Sequence, residues 1–338
     1  MRILYTGPFA VGSLTEARRK ALIALGHEVI GLDVLPYLNG VPKLFRKAQI
    51  HSLVGPGVRA YNRAILKLAG DSGPEMIYVD NGAYLWPGTV AALRESKARM
   101  VHYTSEYFGI RRYWYRHFLK AVHLYDAHVL TFPPSRTFLE ERGARKILFT
   151  EFGYDPDLHR PPVLTPEEKT RCQADAVFVG HWEPATEAMI RTLREHGVDA
   201  KVWGPGWRRA RSLPDRRAIR PVYGEEYVKL LASAKICLCF LNKQCDDFPN
   251  KYSASRTFEI PAIGSFLLAE RTEQHRSYYT EGEEAEFFGP PGEMVEKAKH
   301  YLAHEEEREA IARAGHERCL RSGYTHVDRM RRVLQDLS

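Results

Sequence analysis

The chain has 338 residues, 44% hydrophobic and 27% charged, with a formal net charge of +7. That length accommodates two ordinary domains, and that balance is the profile of a soluble globular protein. No apolar run reaches bilayer-spanning length, and the apolar part of Met1 to Pro8 is too short for a signal peptide, so the sequence predicts a cytoplasmic protein.

The first predicted element is the strand Ile3-Leu4-Tyr5, followed by the turn Gly7 to Gly12. A helix starts at about Ser13, where Ser13 and Glu16 have capping-box spacing, and Gly26 ends it. A second strand, Val29 to Leu32, stops at Asp33. Met76 to Val79, Met100 to Tyr103 and Ala127 to Thr131 read as further strands. Pro, Asp and Gly are dense from Phe152 to Pro162, which predicts a linker over 151–174.

The opening order then repeats. Ala176 to Val179 is a strand, Gly180 to Pro184 a turn, Ala185 to Glu195 a helix stopped by Gly197, and Ala200 to Trp203 a strand. Glu225 to Ala234 is an amphipathic helix, Lys235 to Phe240 a buried-type strand, and Gly292 to Leu337 helical. Two strand–turn–helix–strand openings predict an α/β protein with two Rossmann-like, doubly wound domains. The expected boundaries are 1–150, the linker, 175–315, and a C-terminal helical segment 316–338 that packs back on the first domain.

The basic residues are spread along the chain, which argues against nucleic acid. Their densest cluster, Arg208, Arg209 and Arg211 beside Trp207 with Arg216 and Arg217, reads as a solvated surface, with attraction of phosphorylated or anionic-membrane substrates as the alternative. The five cysteines form no CxxC pair and no histidines form HExxH, so neither a zinc site nor a disulfide framework is expected. Asp246-Asp247 invites a Mg²⁺ reading, but adjacent aspartates in a Pro/Asn loop are usually solvated, and no metal is assigned.

Ligands of open α/β sheets bind beyond the carboxyl ends of the strands. That rule selects Gly12 in the first turn as an anion contact, and Asp80, His102 and Glu106 as candidate catalytic acids or bases. In the second half it selects Gly180 to Glu183, Gly204 to Trp207, Tyr223-Gly224 and Asn242 to Asn250. Arg256 and Glu259 are three residues apart on one helical face, in apolar surroundings. The guanidinium suits phosphate and the carboxylate suits ribose hydroxyls.

Phe178-Val179-Gly180, Trp203-Gly204 and Arg256-Thr257-Phe258-Glu259-Ile260-Pro261-Ala262-Ile263-Gly264 together resemble the CgeB-like glycosyltransferases, GT-B proteins related to glycosyltransferase family 4. Glu281 to Phe288 and Ala310 to Gly315 also fit, and the resemblance covers about 145–335. It implies a GT-B fold, with two domains facing a central cleft. It also implies metal-independent, retaining transfer from a nucleotide sugar, a UDP-sugar first, to an acceptor the sequence does not identify, with no cofactor. By the resemblance Glu259 contacts the donor ribose, Arg256 and Ser255 lie near its phosphates, Tyr223 near its base, and Thr257 is a further donor-binding residue. Lys251 stands where family 4 has a second glutamate, and Lys251, Lys243 or Arg256 would then neutralise phosphate. The alternative is a non-catalytic nucleotide- or sugar-binding protein of the same fold, in surface polysaccharide or coat assembly. A dinucleotide oxidoreductase, suggested by Asp33, fails on glycine spacing.

Overall fold

The computed structural model describes residues 1–108, 113–241 and 253–338. They form two compact units, Met1–Glu151 with His326–Ser338, and Phe152–Thr325. Among the described residues no helix is long and apolar enough to cross a membrane.

Unit 1 holds β1 (Arg2–Gly7), α1 (Leu14–Ala24), β2 (Glu28–Asp33), α2 (Leu35–Asn39), α3 (Lys43–Ser52), α4 (Pro56–Ser72) and β3 (Met76–Asp80). Then follow α5 (Pro87–Arg94), β4 (Arg99–Thr104), α6 (Arg116–Ala121), β5 (Ala127–Leu130), α7 (Ser135–Glu140) and β6 (Ile147–Phe149). Its six-stranded sheet has the order β2-β1-β3-β4-β5-β6, with every pairing parallel. Ser13 accepts the Glu16 amide at the start of α1, and Gly26, at φ +82°, ends the turn that follows it. The three helices α2 to α4 fill a stretch to which the sequence pattern assigned no element.

Unit 2 begins with α8 (Pro166–Cys172), inside the expected linker. Its signal was local rather than periodic, because Thr165 and Glu168 form a complete capping box over a helix of only seven residues. Then come β7 (Ala174–Val179), α9 (Pro184–Glu195), β8 (Ala200–Trp203), α10 (Gly224–Ala232), β9 (Ala234–Cys239), α11 (Arg256–Ala262) and β10 (Leu267–Glu270). The rest is α12 (Glu273–Tyr278), β11 (Glu286–Phe288), α13 (Pro291–Ala303) and α14 (Glu305–Arg321). The final helix, α15 (His326–Leu337), belongs to unit 1, so the chain returns at His326. There Met330, Val333 and Leu337 join Ile3, Tyr5, Ala21 and Leu22 in one buried cluster.

The second sheet has the order β11-β10-β9-β7-β8, again parallel. Both sheets therefore lay their first two strands down in one direction and continue on the other side of the first strand. The order reverses between β1 and β3 in unit 1 and between β7 and β9 in unit 2. Such a switch point parts the neighbouring loops and leaves a crevice at the carboxyl ends of the strands.

In unit 1 this place is closed by a buried ion pair. Arg18 of α1 donates to both carboxylate oxygens of Asp80, at 2.7 and 3.0 Å, and the Tyr5 hydroxyl donates to the same carboxylate at 2.6 Å. The guanidinium also lies 4.0 Å from the centre of the Tyr103 ring. Gly7 has no room for a side chain, since a Cβ would sit 2.8 Å from Thr15 and 3.1 Å from Asp80. Breaking a buried pair strands its partner's charge. Asp80→Ala is expected to lower stability by ~3–5 kcal/mol in urea melts, and the apolar double variant Arg18→Met, Asp80→Leu to recover most of that loss.

Candidate functional site

The corresponding place in unit 2 is built differently. Arg256, the first residue of α11, sends Nη1 to the carbonyl of Val179 at 3.1 Å and Nη2 to the carbonyl of Phe240 at 2.9 Å. These carbonyls lie at the carboxyl ends of β7 and β9, so the guanidinium spans the switch point. Its carbon sits 4.9 Å from the centre of the Phe178 ring. Its Nε is buried without a hydrogen-bond partner. Among the described residues no ion pair joins Arg256 to Glu259 or to any other carboxylate. Carbonyl oxygens satisfy hydrogen bonds but carry no formal charge, so the guanidinium keeps its net positive charge at the mouth of the sheet.

Two glycines let this arrangement close. A Cβ on Gly180 would meet the Phe178 ring at 2.5 Å and Nη1 of Arg256 at 3.1 Å. Gly204, at φ +138°, packs so closely that a Cβ would lie 1.9 Å from the Gly180 carbonyl. The loops after β7 and β8 are tied by Gly180 N to Trp203 O, Trp182 N to Pro205 O and Trp207 Nε1 to Gly180 O, each at 2.9 Å.

Glu187, in the first turn of α9, holds the next layer. It accepts from the Trp182 indole at 2.7 Å and from the Arg211 amide, the Ser212 amide and the Ser212 hydroxyl, each at 2.6 Å. Burial opposes its charge, but the Ser212, Trp182 and Arg211 donors outweigh that and hold its pKa at about 2.

Glu259 lies one turn beyond Arg256 and is only 6% exposed. Its Oε2 accepts from the Tyr227 hydroxyl of α10 at 2.5 Å. Burial and then the Glu259 charge raise the Tyr227 pKa well above that of a free phenol. Among the described residues Oε1 of Glu259 has no hydrogen-bond partner, so half of this carboxylate can accept from a ligand hydroxyl.

The other expected donor contacts separate into groups. Thr257 is fully buried: its Oγ1 accepts the Ala254 amide at 3.2 Å and lies 2.9 Å from His275 Nε2. Nδ1 of His275 faces the Glu270 carbonyl at 2.6 Å, so it carries the proton and Nε2 accepts the Thr257 hydroxyl. Burial lowers the His275 pKa to about 4. Thr257 therefore pins the first turn of α11, with its hydroxyl bonded to the Ala254 amide and to His275. Ser255 is half-buried at the start of α11 and makes no side-chain capping bond. Tyr223 precedes α10 and is 60% exposed, and Gly180 is half-buried. Gly12, at φ +71°, is exposed in the first turn of unit 1. Lys251, Lys243, Asp246 and Asp247 lie outside the described residues.

The three candidate catalytic residues do not converge. Asp80 is committed to Arg18 and Tyr5. His102 is fully buried, with its ring 3.8 Å from that of Phe118 and its Nδ1 3.3 Å from Nδ1 of His128. Burial and then His128 push its pKa well below the ordinary histidine value, which keeps it neutral. In the parallel register Asp80 is opposite Tyr103 and Val79 opposite His102, so the two side chains point to opposite faces of the sheet. The position just after a strand suggested a rim, but residue 102 is still inside β4. Glu106, past the strand, is half-buried, and its backbone carbonyl accepts the Ser135 hydroxyl at 3.0 Å.

Glu187, Tyr227 and His275 were missed, because each depends on at least one partner 18 to 32 residues away in the chain. Glu183 and Glu187 at the start of a helix were the one local hint.

Residues 183–335 match the family model described as "Glycosyl transferase-like". A comparison with curated proteins finds no match. Among solved structures, HepE from Anabaena in complex with UDP-glucose has 12% identity and a TM-score of 0.64, covering 100% of this chain and 99% of that one. A glycosyltransferase from Rickettsia africae has 13% identity and a TM-score of 0.64, covering 99% and 97%. Sucrose-phosphate synthase from Thermosynechococcus elongatus has 12% identity and a TM-score of 0.61, covering 99% and 98%. At such identities the likeness defines architecture: the chain has the GT-B fold, two parallel-sheet Rossmann-like domains. Its second half carries the glycosyltransferase-like family match.

Because Glu187 has its pKa depressed to about 2 in the folded protein, its stabilisation is full above the unfolded carboxylate range and is lost as pH falls from about 4.5 towards 2. Glu187→Gln is expected to cost ~3 kcal/mol at pH 7 and much less at pH 2.5, checked by urea midpoints across that range. A Gly204→Ala variant should be destabilised at every pH, since its backbone contact does not titrate.

Proposed function

We propose that the chain is a CgeB-like, metal-independent glycosyltransferase that moves a sugar from a nucleoside-diphosphate donor, a UDP-sugar first, to an acceptor hydroxyl with retention of configuration. The observation that carries this is Arg256, a guanidinium at the switch point that no carboxylate among the described residues neutralises. The donor diphosphate would sit over it, before the amino end of α9, where unpaired amides favour an anion. Oε1 of Glu259 would accept from a ribose hydroxyl, with Tyr227 fixing the carboxylate's orientation. Tyr223 offers an exposed ring for the base. Solved structures of the same fold, HepE with UDP-glucose and an Escherichia coli protein bound with UDP-2-fluoro glucose, support the choice of donor.

In the transfer, the bond between the sugar C1 and the diphosphate oxygen breaks, and its electron pair leaves with the nucleotide. The acceptor oxygen bonds C1 while its proton passes to the departing phosphate. Positive potential at Arg256 favours the charge that develops on that leaving group. With Asp80 and His102 enclosed, Glu106 is the sequence-selected carboxylate left in unit 1 to orient an acceptor. Lys251, in place of a second glutamate, favours a second reading, nucleotide-sugar binding without turnover in surface polysaccharide or coat assembly.

A thermal-shift series with UDP, GDP, ADP and TDP tests the donor class, with UDP expected to raise Tm by several degrees at ~100 Kd. Glu259→Ala is expected to weaken UDP binding about 10- to 100-fold. Arg256→Ala should abolish it, and Arg256→Lys should restore part. Unchanged affinity in the two alanine variants would sink the site. UDP release from UDP-glucose, measured alongside, separates turnover from binding alone.

A further inference from the structure

Between Asp33 and Asp71 the chain carries six cations, Lys43, Arg46, Lys47, Arg59, Arg63 and Lys67, and no acidic residue. Among the described residues none of the six is in an ion pair or a side-chain hydrogen bond. Most arginines elsewhere in the chain are paired, so this stretch is a concentrated, uncompensated positive surface within unit 1.

It is also apolar. Leu44 is 80% exposed, Phe45 55% and Val54 48%, and Leu66 on α4 lies between Arg63 and Lys67. Tyr113 is 60% exposed, and the neighbouring Trp114 ring lies 5.1 Å from His51 at the end of α3. The orientation of α3 is held from inside by Gln49, which donates to the Leu38 carbonyl at 2.9 Å and accepts the Gly57 amide at 3.0 Å. That anchor turns Leu44, Lys47, Ala48 and His51, spaced at i, i+3, i+4 and i+7, to the outside. A groove of about 690 Å³ runs along Lys43, Leu44, Arg46, Lys47, Ile50 and His51.

Large apolar side chains presented to water by a helix are costly unless something covers them. Cations and bulky apolar groups on one short helix match the boundary of an anionic bilayer, where lysines and arginines meet headgroups and leucine and phenylalanine enter the acyl region. A nucleic acid would use the charge but leave Leu44 and Phe45 without a partner. The basic cluster at 208–217 differs, because its Trp207 and Leu213 are buried and its surface is polar.

We propose that α3 and the exposed flank of α4 dock unit 1 on an anionic lipid membrane. The surface is distinct from the donor site in unit 2, and the proposal does not depend on that site's assignment. Sedimentation with phosphatidylcholine vesicles, with and without 30 mol% phosphatidylglycerol, tests it. The full chain should bind the anionic vesicles and not the neutral ones, and release them as salt rises. The variant Lys43→Gln, Arg46→Gln, Lys47→Gln should lose about a hundred-fold in partitioning. Leu44→Ser, Phe45→Ser should lose at least about tenfold at unchanged charge. Both leave Gln49 in place, and unchanged melting and UDP affinity would show intact units. No binding to anionic vesicles overturns the proposal. So does binding that neither variant weakens, or a serine variant that still binds vesicles and heparin as the parent does, which would mark a soluble polyanion as the partner.

Discussion

Arg256 decides the character of unit 2. Its guanidinium bridges the carbonyls of Val179 and Phe240 across the place where the strand order reverses. The surrounding residues follow from that position. Gly180 leaves room for Nη1, Gly204 lets the next loop touch Gly180, and Phe178 supports the cation from below. Thr257 and His275 hold the turn on which Arg256 stands. Among the described residues the result is a fixed positive charge with no carboxylate against it, set beside a carboxylate with only one of its oxygens engaged.

The two units make the comparison within one molecule. Their sheets share a strand order, and each has an arginine at its switch point. In unit 1, Arg18 meets Asp80 bidentately, so the charges cancel and the crevice is closed by structure. In unit 2 the arginine meets neutral carbonyls. Among the described residues, similar topology therefore gives one junction where the arginine is paired with the carboxylate at the end of β3 and one where it is paired with backbone carbonyls. Positive charge appears again on α3 and α4, where it is surrounded by exposed apolar side chains rather than by loop backbone.

Much of this architecture could be read from the chain. Strands such as Ala200–Trp203 follow from apolar runs bounded by glycine, and α1 from Ser13 and Gly26. The helices α2 to α4 escaped because prolines and glycines at 36, 40, 42, 55, 56 and 57 interrupt the period. For the site, Arg256, Glu259, Gly180 and Gly204 were legible as residue types after strands. Glu187, Tyr227 and His275 were not, because their chemistry depends on donors and acceptors brought in from other elements.

By itself the sequence determined two doubly wound domains, since hydrophobic period and turn residues act over a few positions. It also set the charge at 256 and the carboxylate at 259. Tertiary structure alone decided what those groups face. Strand register sends Asp80 and His102 to opposite faces and encloses both, while the placement of α11 sets Arg256 against the Val179 and Phe240 carbonyls, with no counter-charge among the described residues. A side chain's ionic partner and its exposure depend on contacts distant in the chain, and no local pattern encodes them.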